Sequence, residues 1–146
     1  MATQELLTEE EEQQIIAAIN KTEQKTTGEV RVHIQKQCNG NALEHAARIF
    51  HDLGMDATKR KNGVLIYIAF EDHKAAVYAG KGIDKQVQEG YWNDVLNILL
   101  THFKKDEFAK GIQEAISEVA GKLAELYPYE HDDIDELTNE ISYQDN

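Results

Sequence analysis

The residues of this chain that could do chemistry are mostly hard oxygen donors. Glu29, Asn62 and Asp84, with Glu89 as a fourth donor, stand where the chain enters or leaves apolar runs. A second group, Glu71, Asp72 and His73, sits between two such runs. Carboxylates with an amide oxygen suit calcium or magnesium better than zinc or copper. Softer chemistry has less to work with. The six histidines (His33, His45, His51, His73, His102 and His131) include no pair at helical i, i+4 spacing, so no helix presents a zinc-type pair. The lone Cys38 has no evident base beside it and reads as an ordinary loop or core thiol. Gly80-Lys81-Gly82 lacks the spacing of a dinucleotide fingerprint or a Walker loop, and reads as turn glycines supplying unusual backbone angles.

The elements that must position these donors are organised around Asn62 to Asp84. Val64 to Phe70 is an unbroken apolar run, which reads as a strand buried on both faces. Lys74 to Gly80 follows at once, so the pair is expected to form an antiparallel hairpin. Its open end carries Asn62 and Asp84; its closed end carries Glu71, Asp72 and His73. Upstream, Glu29 to Lys36 alternates: Val30, Val32 and Ile34 face one way, and Glu29, Arg31, His33 and Gln35 the other. An edge strand or a solvent-facing surface accounts for that polar face; the alternative is the floor of a polar cleft. A helix from about Ala42 to Leu53, with Leu43, Ala46, Ala47, Ile49, Phe50 and Leu53 inward and Gly54 as its stop, links this strand to the hairpin. Strand, helix, strand implies a right-handed crossover and parallel pairing, which places Glu29 at the end that holds Asn62 and Asp84. Ligands in such sheets favour the carboxyl ends of parallel strands, which argues for the Asp72 end instead. The sequence leaves both ends open.

Three further helices complete the chain. Thr8-Glu9-Glu10-Glu11 is a capping box for the first, which carries Ile15, Ile16 and Ile19 on one stripe and ends near Lys25. Tyr91 to Phe103 aligns Trp92, Val95, Leu96, Leu99 and Phe103. Asp106 is read as the cap of the last helix, which aligns Phe108, Ile112, Ala115, Ile116, Val119 and Leu123 and runs to about Leu126, before Pro128. Residues 1–128 are thus expected to form one domain. Residues 129–146, with seven carboxylate side chains and no Lys or Arg, form an acidic tail expected to be partly ordered or docked, with Ile134, Leu137 and Ile141 interrupting the charge.

Bulk composition narrows the classes. A chain of 146 residues, 41% of them hydrophobic, can build one real core. A net charge of -12 disfavours nucleic acid and anionic membrane surfaces, and suits divalent cations or basic partners. One cysteine excludes an internal disulfide. No apolar run approaches the ~20 residues that span a bilayer, and the first residues lack a basic, apolar leader, so a soluble cytoplasmic protein is expected.

The motifs together resemble the TPM domain, a family found in a thylakoid lumen protein of photosystem II repair and in many bacterial proteins. Thr27-Gly28-Glu29-Val30 resembles the family's TGxEI entry to the first strand. Phe50 to Gly54 followed by Asn62-Gly63-Val64-Leu65 resembles F-x-x-x-G and then NGVLL. Asp72 matches the turn acid, and Gly80, Gly82 and Ile83 match G-x-G-[LI]. Phe103, Phe108 and Gly111 resemble a later aromatic and glycine stretch. The likeness covers about Leu7 to Pro128. It implies an α/β fold, an α-β-α sandwich with a small mixed sheet of about three to four strands. It also implies divalent-cation binding, with Asp84, Glu89, Asn62 and Asp72 at the family's acidic and asparagine positions, and acid phosphatase activity as ascribed to the plant branch. Asp84 stands where the family usually has Glu, one methylene longer. The expected function is a non-catalytic module that binds calcium or magnesium; the alternatives are an acid or metal-dependent phosphatase acting on phosphomonoesters, and a protein-interaction adaptor.

Overall fold

Thr8 opens the first helix with the expected reciprocal cap: its hydroxyl accepts from Glu11 N (3.0 Å) and its amide donates to Glu11 Oε1 (2.9 Å). The computed structural model describes residues 6–130 and 140–144, and within them the element order is α1 (Glu9–Glu23), β1 (Glu29–Gln35), α2 (Ala42–Asp52), β2 (Gly63–Ala69), β3 (Lys74–Ala79), α3 (Lys81–Asp84), α4 (Tyr91–Phe103), α5 (Phe108–Leu126) and β4 (Ser142–Gln144). Ile134, Leu137 and His131 lie outside the described residues.

The strands form one mixed sheet in the order β3-β2-β1-β4. β1 and β2 pair in parallel, Val30 beside Val64 and Ile34 beside Ile68, as the α2 crossover requires. β2 and β3 form the antiparallel hairpin. β4 pairs in parallel with the end of β1, His33 beside Ser142 and Gln35 beside Gln144.

Alternation along the strands sorts the core into two layers. Val30, Val32, Ile34, Val64, Ile66, Ile68 and Val77 face the layer of α1, α4 and α5, where they meet Ile15, Val95, Leu99, Ile112, Ile116, Val119 and Leu123. Each such buried aliphatic side chain contributes about 1.5–3 kcal/mol of transfer free energy. On the opposite face Leu65, Tyr67, Ala69 and Ala76 meet Ala46, Phe50 and Met55 from α2 and the turn after it. The result is the expected α-β-α sandwich with a small mixed sheet.

Four local expectations are corrected. β1 is not solvent-facing, and it is not a free edge where β4 flanks His33 to Gln35; all seven of its residues are buried, the polar ones included. Leu43, expected inward, is 52% exposed on α2. Asp106 does not cap α5. It sits at φ 57°, Glu107 N donates to His102 O, and Asp106 N donates to Phe103 O, so it closes α4 in a Schellman motif. Gly80 and Gly82 do not have positive φ. Both are needed for close approach, because a Cβ on Gly82 would fall 2.2 Å from Arg60 O and one on Gly80 2.4 Å from Lys61 O. The short helix α3, which these contacts anchor, is an element that the sequence pattern did not reveal.

Candidate functional site

The open end of the hairpin gathers backbone rather than side chains. Glu29 N donates to Asn62 O (3.4 Å), Gly80 N to Gly63 O (2.8 Å) and Gly82 N to Lys61 O (2.9 Å), so Glu29, Asn62 and α3 share one end of the sheet. Their side chains part from there. Glu29 belongs to the face that carries Arg31, whose pKa burial lowers while Glu140 and Glu29 pull it back up. Asn62 is buried and donates through Nδ2 to Thr27 Oγ1 (3.2 Å). Asp84 is exposed at the end of α3, and its Oδ1 accepts from the indole N–H of Trp92 (2.9 Å). Glu89 is exposed in the loop that leads into α4, the helix that carries Trp92.

The closed end is built on Asp72. This exposed residue accepts the backbone N–H of Cys38 on Oδ2 (2.8 Å), which ties the hairpin turn to the loop after β1. Lys74 Nζ donates to Cys38 O (3.0 Å) and Gly40 O (2.8 Å) across the same seam. Glu71 is exposed, and His73 takes the left-handed conformation at φ 54° that turns the chain into β3.

The third feature is the polar face of β1. His33 Nδ1 stands 2.9 Å from Ser142 Oγ, and its Nε2 is 2.9 Å from Gln35 Oε1. Gln35 Nε2 in turn donates to Gln37 O (2.8 Å), and Arg31 Nη2 to Glu140 O (3.4 Å). Burial lowers the His33 pKa, the Gln35 hydrogen bond opposes that, and the Arg31 charge adds to it, which favours the neutral ring. Tyr67 lies between two imidazoles, its ring centroid 5.8 Å from that of His33 and 6.5 Å from that of His45. The buried Tyr67 hydroxyl has no hydrogen-bond partner among the described residues. At the carboxyl end of the strands this face opens into a crevice of about 420 Å³ lined by Gln35, Gln37, Asn39, His45, Arg48 and Gln144, among others.

The donor chemistry can be set against what a cation needs. Among the described residues no group of three or more His, Cys, Asp or Glu side chains is arranged to hold a metal ion. Two exposed carboxylates at the ends of the hairpin are each oriented by a hydrogen bond on one oxygen: Asp84 by Trp92, Asp72 by Cys38 N. Such outer-shell bonds aim a ligand carboxylate. This donor set does not fit a closed protein cage; a hard cation here would be held by a single oriented carboxylate and completed by water. Sequence reasoning missed the Trp92 contact, because nothing in the residue pattern brings α3 against α4.

The chain is similar to known proteins over most of its length. The TPM domain family model matches residues 1–122. The BA42 protein from the psychrophilic bacterium Bizionia argentinensis is similar in structure, with a TM-score of 0.88 and 41% identity over 94% of this chain and 95% of that one. The N-terminal domain of a protein from P. gingivalis shares the fold at a TM-score of 0.72 and 16% identity, over 86% of this chain and 83% of that one. The N-terminal domain of the cg2496 protein from Corynebacterium glutamicum shares it at 0.64 and 13%, over 80% and 74%. Among curated proteins, none matches the chain. No helix among the described residues is long and apolar enough to cross a membrane.

Proposed function

The chain belongs to the TPM domain family, and from that premise we propose that it is a non-catalytic binding module that holds a calcium or magnesium ion at the open end of its hairpin. Asp84 supplies the principal carboxylate and Glu89 a second; water and loop carbonyls complete the shell. Glu29 and Asn62 support the backbone around the site. The observation that carries this reading is the Asp84–Trp92 hydrogen bond, which orients an exposed carboxylate before any ion arrives. The net charge of -12 favours cations over the whole surface.

Trp92 is the sole tryptophan, so its indole N–H gives one resonance that reports directly on Asp84. Titration with calcium and then magnesium is expected to move that resonance saturably, together with the amides of Gly82 and Glu89. The response should vanish in Asp84→Ala. Saturable shifts at Asp72 and His73 instead would move the ion to the closed end, and no saturable shift at either end would overturn the reading in favour of a protein-interaction adaptor.

Phosphatase action on a phosphomonoester is the second reading. Lys81, in the same short helix as Asp84, favours it, since an ion and an ammonium together could meet a phosphoryl group. Magnesium-dependent turnover of a model phosphomonoester, lost in an Asp84→Ala, Asp72→Ala double variant, would establish it. Turnover that survives in that variant would remove these residues from the mechanism.

A further inference from the structure

A different chemistry is built at the closed end, on the face away from α2. Between the hairpin turn and the α4–α5 corner lies a pocket of about 370 Å³, and its lining includes Ile68 and Phe70 of the hairpin, Leu100 and Phe103 of α4, Phe108 of α5, and Lys104. Ile68 is fully buried and forms the floor. The Phe103 and Phe108 rings, 4.7 Å apart, form an aromatic wall. A concave apolar cavity of this size, with few polar groups at its mouth, lies at the small end of the ~300–1,000 Å³ range of ligand pockets.

The charge at the mouth runs against the rest of the chain. Lys74 and Lys104 line the pocket against a single acid, Asp106, in a protein of net charge -12. Lys74 is committed to the carbonyls of Cys38 and Gly40. The exposed Lys104 side chain makes no hydrogen bond or ion pair among the described residues. An ammonium without a partner among the described residues, at the rim of an aromatic cavity, complements one kind of molecule: an apolar body that ends in an anion.

We propose that this pocket binds a small monocarboxylate with an acyl or aryl body, the body seated against Leu100, Phe103 and Phe108 and the carboxylate at Lys104. The site is separate from the cation reading, since it uses the opposite charge at the opposite end of the hairpin.

The test is an amide-resolved titration of the full chain with octanoate, run beside octan-1-ol and octylamine. Octanoate is expected to give saturable shifts at Phe70, Phe103, Lys104 and Phe108 and to bind more tightly than the neutral and cationic analogues. Lys104→Glu, an exposed substitution that leaves the core intact, should weaken octanoate about fivefold and leave octan-1-ol unchanged. Equal affinities for the three probes, saturation at other residues, or no saturation would overturn the proposal.

Discussion

His33 on β1 and Ser142 on β4 meet at 2.9 Å, Nδ1 to Oγ, and this contact joins the C-terminal strand to the interior of the sheet. The partners fix the tautomer. Nε2–H donates to the Gln35 carbonyl oxygen, so Nδ1 is left to accept from the Ser142 hydroxyl. His33, Gln35 and Ser142 thereby answer one another within the buried polar face, whereas Arg31 Nε has no hydrogen-bond partner among the described residues.

Ser142→Ala should therefore cost more than an exposed serine would. Removing the hydroxyl leaves Nδ1 of a buried ring without its donor, a loss of about 1–2 kcal/mol. Urea denaturation is the measurement. A midpoint equal to that of the unsubstituted chain would show that β4 contributes nothing to stability through this contact.

The same ring predicts how stability responds to acid. The folded pKa of His33 lies below its unfolded value, about 6.5, because burial disfavours the imidazolium and the Arg31 charge adds to that. Its contribution is therefore complete above about pH 6.5 and declines as the pH falls from there toward the lowered folded pKa. The urea midpoint of the unsubstituted chain should drop between pH 7.5 and 5.5 more steeply than that of His33→Gln. Parallel pH profiles would exclude His33 as the group responsible.

His102 behaves in the opposite sense. Its side chain is 12% exposed and sits between two carboxylates, Nδ1 at 2.9 Å from Glu107 and Nε2 at 2.6 Å from Glu114. Both nitrogens act as donors, so the ring is held protonated, and the bonds to Glu107 and then Glu114 raise its pKa. That contribution is full below about pH 6.5 and is lost as the pH rises through the raised folded value. A histidine-resolved NMR titration should find His102 titrating above 6.5, and in Glu107→Gln or Glu114→Gln its pKa should move back down. An unshifted His102 in the unsubstituted chain would contradict the clamp.

Periodicity carried the fold. Val64 to Phe70 is apolar throughout because β2 has both faces covered, and Val30, Val32 and Ile34 alternate because only one face of β1 meets aliphatic side chains. The same alternation misled about exposure. Polar residues usually mean water, and here Gln35, Ser142 and Gln37 answer them instead; a partner strand more than 100 residues away leaves no local mark. Asp106 shows the same limit at short range: a residue type that caps helix starts can also adopt the left-handed turn that ends them, and composition does not say which. At the candidate site, the sequence marked Asp84 and Asp72 as notable acids. It did not show the groups that orient them, Trp92 and the Cys38 amide, since these depend on how helix and loop pack rather than on spacing.

The glycines offer a last pair of opposed expectations, one of which bears on function. Gly121 lies within α5, and a Cβ there would meet nothing within 4 Å, so Gly121→Ala should stabilise the helix by about 0.5–1 kcal/mol. Gly82 is the reverse case. A methyl there would stand 2.2 Å from Arg60 O and 2.9 Å from Lys61 O, and these are backbone atoms that cannot swing aside. Gly82→Ala should cost at least about 1–3 kcal/mol and displace α3 from the loop before β2. Because Asp84 ends that helix, the displacement should also break its bond to the Trp92 indole. The variant removes no oxygen donor, yet the Trp92 resonance should lose its calcium response. A Gly82→Ala protein that folds and still responds would mean that α3 does not position the carboxylate, and that Asp84 meets the ion as a mobile side chain.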